Sequence, residues 1–238
     1  MGSGGAERVV ANLANYFSSI YKYEISIIIV SGRKRESFYS LSNQVSLSAI
    51  CENETKKVKP SQRIKRLKKA ILEIKPDLVI SFLSHVSIYT HFALRRTSIP
   101  HIVSERNDPT QFPKSRIAKM LRNIAFRNAA KVVCQTNMAK EYFSKKIQNK
   151  TVIIFNPVVD NIEYNSASRY EKTIVATGRL EAQKNYFCLL DAYNLFRKNH
   201  SDFTLSIYGE GSLKNDLVLY ANKNNIIGVI IILYLYYR

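Results

Sequence analysis

Two cations, Arg179 and Lys184, stand five residues apart in the segment V-A-T-G-R-L-E-A-Q-K-N. Before them runs a compact β-branched stretch, Thr173 to Thr177; after them Phe187, Leu189, Leu190, Tyr193, Leu195 and Phe196 recur at helical spacing. A strand-to-helix turn leaves backbone N–H groups free at the positive end of the helix macrodipole, and two cations there favour an anion. The next apolar run ends in Tyr208-Gly209-Glu210-Gly211, where Gly209 and Gly211 allow a planar or charged ligand close to the backbone beside Glu210. Surface charges capping a turn, and a glycine turn with no ligand, are the plain alternatives.

A second group lies nearer the N-terminus. Gly4 and Gly5 open a helical pattern, His85 follows the strand-like D-L-V-I-S-F-L, and Glu105-Arg106-Asn107-Asp108-Pro109 follows P-H-I-V-S. The glycines depart from the dinucleotide fingerprint, because Glu7 stands where its last glycine belongs. Each residue has a structural alternative: a ligand-free N-terminus, a packed histidine, an ion pair between Glu105 and Arg106. Together the two groups read as half-sites on either side of an interdomain cleft.

The elements that must carry these residues alternate almost without interruption. Strands are expected at Glu24 to Val30, Val45 to Ile50, Asp77 to Leu83, Pro100 to Ser104, Lys131 to Cys134 and Thr151 to Phe155. Helices are expected near Ala6 to Tyr21, Ser61 to Lys75, Val86 to Arg96, Ser115 to Asn128 and Thr136 to Lys146. Continuous apolar strands separated by helices indicate a parallel, doubly wound α/β sheet with its functional loops at the strand C-termini. After Asn156-Pro157 the chain turns polar and aperiodic; the pattern then restarts with Lys172 to Thr177, a helix Gln183 to Asn199, a strand Phe203 to Tyr208 and a helix Leu213 to Lys223. The expected organisation is a domain over 1–155, a linker over 156–170 and a second, incomplete domain over 171–238.

Composition narrows the partners. The 238 residues carry 36 Lys and Arg against 18 Asp and Glu, a formal charge of +18, which favours nucleotides, phosphorylated lipids, an anionic membrane face or nucleic acid. Recognition-helix, RNP-like and zinc signatures are lacking, which counts against nucleic acid. Cys51, Cys134 and Cys188 are odd in number and widely spaced, so neither a disulfide framework nor a zinc site is indicated. The apolar tail Ile226 to Tyr237 is shorter than the ~20 residues that span a bilayer and reads as a buried strand or an atypical end. The helix S-Q-R-I-K-R-L-K-K-A-I-L-E-I-K has an apolar stripe for packing, and its Arg63, Lys65, Arg66, Lys68 and Lys69 suit anionic lipid.

Six stretches, in order along nearly the whole chain, resemble glycosyltransferase family 4. They are G-G-A-E-R-V-V-A-N-L-A from Gly4, K-P-D-L-V-I-S-F from Lys75, I-V-S-E-R-N-D-P from Ile102, N-P-V from Asn156, V-A-T-G-R-L-E-A-Q-K-N from Val175 and I-Y-G-E-G-S-L from Ile207. The resemblance implies a retaining sugar transferase of the GT-B arrangement, with two Rossmann-like domains. The first would be nearly complete but lack its first strand, and the second would be incomplete, so the chain reads as truncated at both ends. The anion would be the diphosphate of a nucleotide sugar, a UDP-hexose or UDP-N-acetylhexosamine, held by Arg179 and Lys184 in place of a metal. Gly4 and Gly5 would approach that diphosphate from the first domain, and Gly209, Glu210 and Gly211 would lie near the nucleotide. His85, Glu105 and Arg106 would face the acceptor or the transferring sugar. The partners implied are the donor and a lipid-linked or saccharide acceptor, with no cofactor and no metal, in the cytoplasm with peripheral attachment to the inner membrane face. The alternatives are a catalytically inactive fragment and a basic anion- or membrane-binding protein.

Overall fold

All strands among the described residues of the computed structural model pair in parallel, as apolar runs separated by helices require. Those residues are 1–2, 4–31, 36–52, 54, 58–157 and 172–232. The chain divides into two units, Met1–Asp160 and Asn161–Arg238. The expected linker lies, from residue 158 onward, outside the described residues.

In the first unit the order is α1 (Gly5–Ser19), β1 (Ile25–Ile29), β2 (Val45–Ala49), α2 (Pro60–Ile74), β3 (Val79–Phe82), α3 (Ser84–Ala93), β4 (His101–Ser104), α4 (Arg116–Asn128), β5 (Lys131–Cys134), α5 (Asn137–Glu141), α6 (Lys145–Gln148) and β6 (Thr151–Ile153). Instead of one sheet there are two: β1 pairs with β2, while β3, β4, β5 and β6 follow in order. β1 and β3 therefore each have a hydrogen-bonded neighbour on one side only among the described residues. β1, I-S-I-I-I, stays half-buried along its whole length, although its composition suits a strand covered on both faces.

Two apolar clusters hold this unit. Leu67 and Ile71 of α2 meet Val30, Ala93 and Leu94, whereas Val103, Val132 and Cys134 of the larger sheet meet Ala125 and Phe126 of α4 and Phe143 and Ile147. Each fully buried aliphatic or aromatic side chain contributes about 1.5–3 kcal/mol relative to exposure. The helix expected over Thr136 to Lys146 breaks in two, because Phe143 turns into the core and Gln148 donates to the carbonyls of Phe143 and Glu141.

The second unit contains β7 (Thr173–Thr177), a 3₁₀ turn (Ala182–Lys184), α7 (Tyr186–Phe196), β8 (Thr204–Tyr208), α8 (Lys214–Lys223) and β9 (Val229–Ile232), with sheet order β7-β8-β9. Leu190, Leu205, Ile207 and Leu217 are its buried centre. β9 realises part of the apolar tail as a strand, yet Ile230 is 52% exposed, so the strand is not the buried one expected. Residues 233–237 of that tail lie outside the described residues.

Candidate functional site

Arg179 and Lys184 occupy the loop that leaves β7. The loop is pinned from behind: Gly178 N–H donates to the Tyr208 carbonyl (3.0 Å), Leu180 N–H to the Glu210 carbonyl (2.8 Å), and Leu213 N–H to the Leu180 carbonyl (3.0 Å). Leu180 is fully buried, so the side chains on either side of it turn outward, and both Arg179 and Lys184 are exposed. Among the described residues neither cation has a hydrogen bond or ion pair. The Lys184 stem passes Gly178, its Cε 3.6 Å from where a Cβ there would stand. Glu181 accepts from Ser212 N–H (3.1 Å) and Oγ (3.0 Å), and these bonds, helped by the Arg179 charge, hold its carboxyl below the usual range.

The helix expected to start at Gln183 starts instead at Tyr186. Asn185, at φ 52°, closes the 3₁₀ turn in the left-handed region and gives the helix no side-chain cap. The first amides of α7 thus lack a capping side chain beside Lys184, where an anion is favoured. The nearby glycines have a different explanation from the one expected. A Cβ on Gly209 would stand 1.9 Å from the Gly178 carbonyl oxygen, and one on Gly211 2.3 Å from the Leu180 carbonyl oxygen. Glycine at these two positions lets the two loops touch each other, while the Glu210 side chain points to solvent.

In the first unit β3 and β4 end side by side. Leu83 N–H donates to the Ser104 carbonyl (3.1 Å), and Leu83 takes φ 74° to open α3. Ser84 Oγ then donates to Glu105 Oε2 at 2.5 Å, while Glu105 Oε1 accepts from the N–H groups of Arg106 (3.1 Å) and Asn107 (3.2 Å). Glu105 is 1% exposed, which corrects the expectation that it faces a substrate. Burial raises its pKa, against the hydrogen bonds from Ser84, Asn107 and Arg106 and the charge of Arg122, all of which lower it. Nor does Glu105 pair with the Arg106 guanidinium, which donates to Asn156 Oδ1. His85, next to Ser84, keeps an exposed ring; partial desolvation and then the Arg63 charge lower its pKa.

Sequence reasoning passed over Arg122, which is fully buried on α4. Its guanidinium donates to the carbonyls of Pro109 (3.0 Å) and Phe112 (2.8 Å) and lies 5.2 and 5.0 Å from the rings of Tyr142 and Phe143. It holds the loop after Glu105 in shape. Nothing in its helical, amphipathic surroundings distinguished it from a surface arginine. Gly4 is the N-cap of α1, but the Glu7 carboxylate lies over it, 2.4 Å from a Cβ built there, so an anion at this helix start would meet a carboxylate. Gly5 has open space around it. Among the described residues no group of three His, Cys, Asp or Glu side chains is placed to hold a metal ion.

The model for Glycosyltransferase Family 4 matches residues 3–161. One relative is the GalNAc-alpha-(1->4)-GalNAc-alpha-(1->3)-diNAcBac-PP-undecaprenol alpha-1,4-N-acetyl-D-galactosaminyltransferase of Campylobacter jejuni, 29% identical over 91% of this chain and 61% of its own length. The crystal structure of Anabaena HepE in complex with UDP and glucose superposes with a TM-score of 0.69 at 14% identity, over 98% of this chain and 66% of that one. The lipopolysaccharide outer core galactosyltransferase WaaB, in its apo form, gives 0.64 at 16% identity over 98% and 65%. The parallel α/β units therefore have the GT-B type of fold. The chain spans 61% of the length of the Campylobacter relative.

Proposed function

Since the chain belongs to glycosyltransferase family 4, we propose that it transfers a sugar from a nucleotide-sugar donor to a lipid-linked or polysaccharide acceptor, with retention at the anomeric carbon. The observation that carries this reading is the pair Arg179 and Lys184, exposed and with no side-chain hydrogen bond or ion pair among the described residues, beside the uncapped start of α7. A loop whose backbone is held by the bonds of Gly178, Leu180 and Leu213 presents the two cations to a diphosphate from a fixed main chain. The names of the Campylobacter and Anabaena proteins support the substrate classes: an undecaprenol-diphosphate-linked acceptor in one, bound UDP in the other. The donor we assign is a UDP-hexose or UDP-N-acetylhexosamine, and the setting is the cytoplasmic face of a membrane.

In the reaction the bond from the anomeric carbon to the diphosphate breaks with its electron pair going to the diphosphate oxygen. The acceptor hydroxyl oxygen bonds to that carbon on the same face, and its proton passes to the departing diphosphate. Arg179 and Lys184 hold the charge that develops on the leaving group. His85, whose depressed pKa keeps it neutral near pH 7, and Arg106 serve the acceptor side, and the buried Glu105 holds the Arg106 backbone in place.

Titration calorimetry with UDP tests the donor site. Saturable binding is expected, weakened at least about tenfold in Arg179→Ala and again in Lys184→Ala, each lost charge-assisted contact being worth about 1.5–3 kcal/mol. UDP binding that is indifferent to both substitutions would refute the assignment and leave a general anion-binding surface.

A further inference from the structure

The stretch Y-F-S-S-I-Y-K-Y, Tyr16 to Tyr23, holds four aromatic residues that the candidate site does not use. α1 ends within it. The helix buries Val9 and the small Ala11, Ala14 and Ser18, so Tyr16 and Ile20 stay outside. The chain then closes the helix with Lys22 at φ 58° and Tyr23 N–H donating to the Phe17 carbonyl (3.2 Å), the left-handed cap of a Schellman turn. That turn sets the rings side by side. Tyr21 and Tyr23 lie 5.6 Å apart at 27° to each other, Phe17 and Tyr23 lie 6.1 Å apart at 29°, and Tyr16 stands edge-on to Tyr21 at 5.7 Å. Tyr21 is 52% exposed and Tyr23 59%, so the rings form an open platform. Beside Tyr23 is a depression of about 220 Å³ lined by Ser18, Lys22, Tyr23, Glu24 and Gln44. Among the described residues no hydrogen bond or ion pair engages the side chains of Lys22, Glu24 and Gln44 or the hydroxyls of Tyr21 and Tyr23.

We propose that the platform and the depression form a second saccharide site, at the opposite end of α1 from Gly4 and Gly5 and about 20 Å from them at 1.5 Å per residue. A sugar ring has an apolar C–H face and an edge of hydroxyl groups, each both donor and acceptor. The exposed rings suit the face, and an ammonium, a carboxylate and an amide around one small depression suit the edge. A protein partner is disfavoured by size, because a stable interface takes about 20–30 residues a side and the platform offers far fewer. An acyl chain would desolvate the polar side chains without pairing them. The choice of a saccharide rests on the sugar transfer proposed above. Such a site raises the effective concentration of a glycan chain whose other end reacts.

Saturation-transfer difference NMR on the full chain tests the site, with maltohexaose as the hexose probe and chitohexaose as the N-acetylhexosamine probe. Transfer to the C–H protons of at least one probe is expected, and Tyr21→Ala/Tyr23→Ala should weaken its binding at least about fivefold. Tyr21→Phe/Tyr23→Phe keeps the rings and should stay within about threefold of the parent. Phe155→Ala, which removes an exposed aromatic ring elsewhere in the first unit, should change nothing. A melt of each variant shows whether the fold is kept. Absence of transfer to both probes overturns the proposal, as does binding that the alanine pair leaves unchanged. Displacement of the saccharide by uridine also overturns it, since a nucleobase stacks on exposed rings as well. UDP titration of the same samples keeps the two readings apart: saccharide binding lost in the alanine pair while UDP binding stays supports the platform, and a parent that binds saccharide at the tyrosines but not UDP supports it too and removes only the donor assignment.

Discussion

Glu105 and His101 are buried titratable side chains of the first unit whose protonation acts on stability in opposite directions. His101, 7% exposed and hydrogen bonded through Nε2 to Ser81 Oγ (2.8 Å), has its pKa lowered from 6.5 to about 4, by burial first and then by the charge of His91. The unfolded chain binds this proton more readily, so the stability it gives is present above 6.5 and is lost as pH falls toward about 4. At roughly 1.4 kcal/mol per unit the loss is about 3 kcal/mol. Glu105 has a raised pKa, so its contribution is fully present below the ordinary carboxylate value of 4.5 and is lost as pH rises through the folded value. Urea unfolding at pH 5 and pH 7.5 separates them: His101→Gln should flatten the acid loss, and Glu105→Gln should steepen it while retaining the fold. Glu105→Ala, which leaves the Ser84 hydroxyl and two amides without their acceptor, should cost about 2–4 kcal/mol at either pH. Equal pH slopes in both glutamine variants and the parent would show that neither group titrates as described.

At the scale of elements, strands were legible as short continuous apolar runs and helices by apolar residues repeating at a period of 3.6, and most observed ends lie within a few residues of the expected ones. Direction was not legible. The segment S-E-R-N-D-P places Glu105 and Arg106 at the end of β4, but only the approach of Ser84 from α3 shows that the glutamate turns inward. The helix expected from Gln183 has a helix-forming composition; it yields to the left-handed Asn185, which separates Lys184 from α7. The glycines show the same limit, since sequence marks them without saying what approaches. Gly209→Ala and Gly211→Ala drive a methyl into backbone of the Arg179 loop and should each destabilise the second unit by about 2–4 kcal/mol, with UDP binding reduced. Gly5→Ala meets nothing within 4 Å in the first turn of α1 and should stabilise by about 0.5–1 kcal/mol. Thermal melts of the three variants check this contrast, and a neutral Gly209→Ala would mean that the two loops are not in contact.

Across the whole molecule the formal charge of +18 acts on everything the site does. Self-repulsion at that charge destabilises the compact state and draws in anions of every kind, so a basic surface and a built diphosphate site both predict some stabilisation by salt. They differ in what saturates. Screening by chloride acts over a Debye length of about 10 Å at 0.1 M and does not distinguish one loop from another. Inorganic pyrophosphate at the same ionic strength adds a mass-action term at the Arg179 loop, about 1.4 kcal/mol when its concentration is ten times the dissociation constant. Melts in chloride and in pyrophosphate should therefore both rise with concentration, with pyrophosphate in excess and reaching the binding curve measured by calorimetry. In the double variant Arg179→Ala/Lys184→Ala the chloride response should persist, because the remaining excess of cations is still large, and the pyrophosphate excess should vanish. If the excess survives in the double variant, the stabilising anion sits elsewhere on the basic surface, and Arg179 and Lys184 are turn residues.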